Sequence, residues 1–153
     1  INYMLQQIRV TKIFTLEMAH VLLGYDGDCK NIHGHSYKLH ITLKGLPLTD
    51  DSHVKNGMVI DFKELKKIVK DKIITRFDHA LVINKNHDRS LINMLENNFE
   101  KIILFETQPT CELLLSHFAN ILKQDSTIGD RLWNIKLYET ATSYAEWFLS
   151  DNI

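Results

Sequence analysis

Two stretches of alternating apolar and polar residues constrain this chain more than anything else in it. From Ser36 to Gly45 the apolar Tyr37, Leu39, Ile41 and Leu43 interleave with Lys38, His40, Thr42 and Lys44, the period-two pattern of a half-buried strand. Ile8 to His20 reads as a second long strand, with Phe14, Leu16, Met18 and His20 on one parity. Strands with one wet face belong in antiparallel sheets, so these two are expected to pair. His40 has the solvent-side parity and should face away from the core.

That pairing brings imidazoles together. In His33-Gly34-His35 two rings are separated by one residue, so an extended backbone points both to the same side with Cα atoms about 6–7 Å apart. His20 leaves the apolar face of its own strand and can close a three-imidazole site. Three neutral nitrogens with one open position suit a catalytic Zn²⁺, whereas a structural zinc usually has four protein ligands. A single His on an apolar face is ordinarily a hydrogen-bonded core residue, and His40, His53, His87 and His117 have no such company. The clustering of His20, His33 and His35 beside Cys29 sets them apart. The loop Gly24-Tyr25-Asp26-Gly27-Asp28 delivers Cys29 to the site, either as a thiol whose pKa a nearby cation would lower or as a fourth ligand.

The rest of the chain reads as helices and one more long strand. Leu46 to Gly57 is polar and turn-rich, and Met58-Val59-Ile60 is expected to be a short extended piece. Asp61 caps a helix from Phe62 to about Ile74, with Phe62, Leu65, Ile68 or Val69, and Lys72 or Ile73 as its apolar stripe. Asp88 to Asn98 suggests a short helix and Ile102 to Phe105 a short strand. Pro109 precedes a helix from Thr110 to Gln124 that turns Leu114, Leu115, Phe118, Ile121 and Leu122 inward. Arg131 to Thr140 alternates Trp133, Ile135 and Leu137 with Leu132, Asn134 and Lys136. Long antiparallel strands followed by helices indicate an α+β sandwich.

Composition narrows the function classes. With 153 residues, 44% hydrophobic and 24% charged, the chain suits one domain spanning 1–153. A net charge of −1 without a Lys/Arg block argues against a nucleic-acid or anionic-membrane partner. No apolar run reaches the length of a membrane span or signal-peptide core, and a cytoplasmic location is expected. Cys29 and Cys111 are expected to be free thiols. The chain opens Ile1-Asn2-Tyr3 without an initiator Met, so a few further native residues are expected ahead of it.

Other chemical groups admit two readings each. Glu139 shares the parity of Ile135 and Leu137; it either points into solvent at the strand end or offers a carboxylate to the paired N–H donors of an amino-pyrimidinone ring. Asp78-His79 is an ordinary loop dipeptide or a carboxylate orienting an imidazole for proton transfer.

In order along the chain, Cys29-Lys30-Asn31-Ile32-His33-Gly34-His35-Ser36-Tyr37, Gly57-Met58-Val59-Ile60-Asp61-Phe62, Phe77-Asp78-His79, Pro109-Thr110-Cys111-Glu112 and Glu139-Thr140-Ala141-Thr142-Ser143 resemble the 6-pyruvoyl-tetrahydropterin synthase family. The chain looks most similar to its bacterial 6-carboxy-tetrahydropterin synthase branch, which acts in queuosine biosynthesis. The resemblance implies a tunnelling fold: a four-stranded antiparallel sheet with two helices on one face, oligomerising into a barrel. It also implies a homohexamer of two stacked trimers with active sites between subunits. The implied substrate is 7,8-dihydroneopterin triphosphate, with Zn²⁺ as cofactor. Carried over residue by residue, His20, His33 and His35 match the zinc ligands, Cys29 the general base, and Asp78 and His79 the proton relay. Glu139 matches the pterin anchor, with Thr110 and Glu112 at the pterin end of the pocket. The implied reaction releases triphosphate and acetaldehyde; the pyruvoyl branch, which stops at triphosphate elimination, is the alternative, and a non-catalytic zinc or pterin-binding protein is the alternative of another class. Residues from about 86 to 106 look like an insertion relative to shorter members. Lys30, Lys38 and Lys136 are candidates for the triphosphate on charge alone, although lysines are usually solvated.

Overall fold

The computed structural model describes residues 4–153; Ile1-Asn2-Tyr3, on which the expectation of further residues ahead of the chain rests, lies outside the described residues. The two alternating stretches form β1 (Ile8–Val21) and β2 (His33–Gly45), paired antiparallel over thirteen residue pairs from Ile8↔Gly45 to His20↔His33. Leu16, Met18, Tyr37, Leu39, Ile41 and Leu43 all face the core and are buried, as their parity predicts. The register also sets Met18 opposite His35 and His20 opposite His33.

The sheet differs from the expected one. It has six strands rather than four and is mixed rather than antiparallel. β5 (Leu132–Thr140) pairs antiparallel with β2, and β6 (Ser143–Phe148) with β5. On the other side, β3 (Ala80–Asn84) runs parallel to the end of β1, and β4 (Ile102–Phe105) parallel to β3. The reason lies in Ala80-Leu81-Val82-Ile83, a nearly continuous apolar run of the kind a doubly covered parallel strand requires. Such a run carries no alternation to announce it.

Three helical elements cover the sheet, not two on one face. α1 comprises Phe62–Val69, a π-helical segment Lys70–Ile74 and a last α-helical turn Thr75–Phe77. Its buried residues, Leu65, Val69, Ile73 and Phe77, recur every fourth position. In a regular α-helix each such step rotates the stripe by about 40°, and the wider π turn lets it stay over the core. Phe62, expected in that stripe, is exposed. α3 (Cys111–Lys123) packs Leu114, Leu115, Phe118, Ala119 and Leu122 into the same core. α2 (Arg89–Asn98) lies on the opposite face, where Ile92 and Leu95 form a second core with Val21 and Ile83, the outward-parity residues of β1 and β3.

Two local expectations also change. Met58-Val59-Ile60 forms bends instead of a strand, with Val59 and Ile60 buried. Trp133 does not share the face of Ile135 and Leu137. The register shifts between Thr42 and Leu43, so Leu43 meets Leu132 and Thr42 meets Asn134. Trp133 is thus the extra residue of a bulge. Leu132 takes the core position, and the indole lies on the opposite face under Arg9 and Lys44, at 5.1 and 4.1 Å from its ring centroid.

Candidate metal and substrate site

The three histidines named from the sequence meet at the end of the core-facing side of the sheet. Their ligand atoms lie within 4.8 Å of one another, and they are the group of this kind among the described residues. His20 is 2% exposed. Its Nδ1 donates to the Pro109 carbonyl at 2.6 Å, and His33 Nδ1 donates to the Asn31 carbonyl at 2.8 Å. A carbonyl can only accept, so each ring donates from Nδ1 and, when neutral, turns an Nε2 lone pair inward; these two atoms are 3.0 Å apart. Two facing lone pairs at that distance repel unless a cation or proton lies between them. His35 Nε2 is buried without a hydrogen-bond partner, 3.6 Å from Glu139 Oε1.

A tetrahedral Zn²⁺ with bonds of about 2.0–2.1 Å holds its donor nitrogens about 3.3 Å apart. The spacing of these rings, the backbone carbonyls fixing two of them, and an orphaned third nitrogen fit such an ion. Burial lowers the His20 pKa, with His33 and His35 adding to the effect; the Pro109 carbonyl and Glu139 oppose it. The neutral ring, which is the ligating form, is therefore favoured.

A cleft of about 240 Å³ opens beside the imidazoles, with His20, Cys29, Thr110, Glu112, Glu139 and Tyr144 among its walls. Cys29 sits in a short 3-10 turn, Asp28–Lys30, and its carbonyl accepts the Leu22 N–H at 3.0 Å. Its sulfur is not among the donor atoms that gather within 4.8 Å. Cys111 also lines the cleft. Burial pushes its thiol up to about 11, and its Sγ donates to the Leu137 carbonyl at 3.2 Å, so this second sulfur is held protonated. Both cysteines are free. Thr110 caps α3, its Oγ1 accepting the Leu113 N–H at 3.3 Å, which positions the helix start and Glu112 in its first turn. A separate groove of about 620 Å³ is lined by His35 and Glu139 together with Lys38 and His40. Lys136 instead pairs with Glu146 at 3.6 Å.

Asp78 and His79 are brought together but not into this cleft. Asp78 Oδ2 lies 3.0 Å from His79 Nδ1, and its Oδ1 accepts the Glu17 N–H at 2.8 Å. Desolvation works to raise the Asp78 pKa, yet the Glu17 and His79 hydrogen bonds with the nearby Lys101 charge leave it lowered. The carboxylate is thus ionised and fixes Nδ1–H on His79. The His79 ring is 74% exposed and borders an open groove with Glu17, Gly34 and Ser36 of the outward parity, a groove that His35 also reaches.

Two residues here were not legible beforehand. Gln108 clamps the end of β1: its Oε1 accepts the Leu23 N–H at 3.0 Å and its Nε2 donates to the Leu23 carbonyl at 2.6 Å. This seats Pro109 over His20. Tyr37, whose ring centroid is 5.5 Å from that of His35, is fully buried with its hydroxyl unpartnered.

Such a fold and site define a class, the α+β proteins that gather three imidazoles able to hold a metal ion beside a cleft. Within it, this chain belongs to the 6-pyruvoyl tetrahydropterin synthase family, which residues 9–148 match. It is 36% identical over 141 residues to the 6-carboxy-5,6,7,8-tetrahydropterin synthase of Haemophilus influenzae, covering 91% of this chain and 97% of the relative. It is 32% identical over 142 residues to the protein of the same name from Rickettsia felis, covering 91% and 99%. The structure of 6-pyruvoyl tetrahydropterin synthase from Caenorhabditis elegans superposes with a TM-score of 0.70 at 21% identity, covering 96% of this chain and 99% of that one. The Plasmodium falciparum 6-pyruvoyl tetrahydropterin synthase gives 0.69 at 21% identity, covering 94% and 99%. At that identity these two structures show the shared fold.

Proposed function

We propose that this chain is a zinc-dependent lyase that converts 7,8-dihydroneopterin triphosphate and one water to 6-carboxy-5,6,7,8-tetrahydropterin, releasing triphosphate and acetaldehyde, with the water supplying the second carboxylate oxygen. The observation that carries the reading is the convergence of His20, His33 and His35 within 4.8 Å on a cleft shared by Cys29 and Glu139. Relatives named 6-carboxy-5,6,7,8-tetrahydropterin synthase at 36 and 32% identity favour the carboxy product over the pyruvoyl one.

In this reading the three imidazoles hold Zn²⁺, which supplies Lewis acidity to a substrate oxygen and so makes the adjacent C–H more acidic. Glu139, 26% exposed at its side chain, accepts two N–H groups from the pterin edge and fixes the ring in the cleft. Thr110 and Glu112 close the same end. Cys29 takes the carbon-bound proton of the substrate side chain. His79, its Nδ1–H held by Asp78, presents Nε2 as the group that carries protons during tautomerisation. Because His79 lies on the other face of the sheet from Cys29, we assign it to the site of a neighbouring copy, within a hexamer of two trimers.

Incubating zinc-loaded protein with dihydroneopterin triphosphate and identifying the product by mass spectrometry tests this. The carboxy pterin with acetaldehyde is expected. A pyruvoyl pterin with its side chain intact would overturn the branch, and unchanged substrate would overturn the enzyme.

A further inference from the structure

The Asp78–His79 turn has a backbone shape that His79 adopts only under restraint. Its φ is 63°, and it is the one non-glycine residue with positive φ among those described. A residue bearing a Cβ persists in this region when its surroundings over-determine it. Two restraints come from β1: the Glu17 N–H donates to Asp78 Oδ1 at 2.8 Å, and the Glu17 carbonyl accepts the His79 N–H at 2.6 Å. The third comes from the segment that resembles an insertion. Lys101, which leads into β4, donates from Nζ to the carbonyls of Asp78 at 2.7 Å and Thr75 at 3.0 Å. Its own carbonyl accepts the Leu81 N–H at 2.9 Å.

Lys101 therefore grips the chain on both sides of His79. Thr75 and Asp78 lie at the end of α1, where an ammonium is favoured by the orphaned carbonyls. We propose that Lys101 is a positioning residue that locks the Asp78–His79 pair in its left-handed turn, giving the 86–106 segment a role in the proton relay. The relay itself rests on the function proposed above; the lock does not.

Amide hydrogen exchange and steady-state kinetics on the zinc-loaded full chain separate the two. In Lys101→Met the His79 amide should exchange about tenfold faster, the effect of losing a charge-assisted hydrogen bond, while the Leu39 amide in β2 stays protected. The kcat should fall by a similar factor, with KM within about twofold. Lys101→Arg should restore both. Lys85→Met, which removes the Lys85–Glu106 pair of the same segment without touching the turn, should change neither. Unchanged His79 protection in Lys101→Met overturns the lock, as does equal loss of protection at Leu39, which would mean general destabilisation. Faster His79 exchange with wild-type kcat overturns the positioning role. If the wild-type protein turns over no pterin, the proposed function fails while the exchange result still judges the lock.

Discussion

At the scale of single residues, the proposed function divides the site into groups that hold and groups that move protons. Cys29 lines the cleft without joining the three imidazoles, so Cys29→Ala should lower turnover at least about a hundredfold, the range for removing a proton-transfer group. Zinc content should not change; loss of zinc in that variant would make Cys29 a ligand. The buried His20 sets a pH dependence. Its folded pKa is lowered from 6.5, so the folded state binds fewer protons than the unfolded one. Its contribution to stability is full above that value and is lost as pH falls through the folded pKa. His40 and His117 are lowered too, chiefly by burial, and add the same sign. Urea unfolding of the metal-free protein should therefore show stability falling as the pH drops below 6.5, with a shallower slope in His20→Gln. The three imidazoles were legible because strand parity and His-x-His spacing are local. The contacts of Gln108 with Leu23 and of Pro109 with His20 were not, since they span 85 and 89 residues, and no spacing rule reaches that far.

At the scale of elements, alternation and capping decided what could be read. β1, β2 and β5 alternate and were expected. α2 and α3 start at Asp88 and Thr110, whose side chains accept the Leu91 and Leu113 N–H groups as N-caps. β3 gave no such signal, being apolar on both faces, and β6, Ser143-Tyr144-Ala145-Glu146-Trp147-Phe148, has an irregular pattern with no fully buried residue. The bulge that moves Trp133 outward is a property of pairing, invisible in one strand alone. α2 is the element whose role the fold clarifies most, because it covers the parallel strands and makes the second core possible. Ile92 is fully buried there. Ile92→Ala should lower unfolding free energy by about 2–5 kcal/mol, the range for emptying such a position, measured by urea titration. A change of only a few tenths would mean that α2 does not anchor β3 and β4.

At the scale of the whole molecule, the sheet separates the candidate chemistry onto two faces. The imidazoles, Cys29 and Glu139 lie at the end of the core-facing side, whereas His79 is absent from that cleft and borders a separate groove with Glu17, Gly34 and Ser36 of the outward parity. No helix among the described residues is long and apolar enough to cross a membrane, and β6 leaves an edge available for pairing. The proposed assembly, in which a cleft in one copy is completed by His79 of another, would account for both facts, and it makes a quantitative demand. If each site draws Cys29 from one chain and His79 from a different one, Cys29→Ala and His79→Ala each inactivate every site in a pure assembly. Unfolding the two variants together and refolding the mixture assorts them at random. By the symmetry of such assemblies about one site in four then receives both intact residues, so activity should recover to roughly a quarter of the wild-type level. Refolding each variant alone should recover none. Were Cys29 and His79 used within one chain, random mixing would leave every site lacking one of them, and the mixture would stay as inactive as its parts.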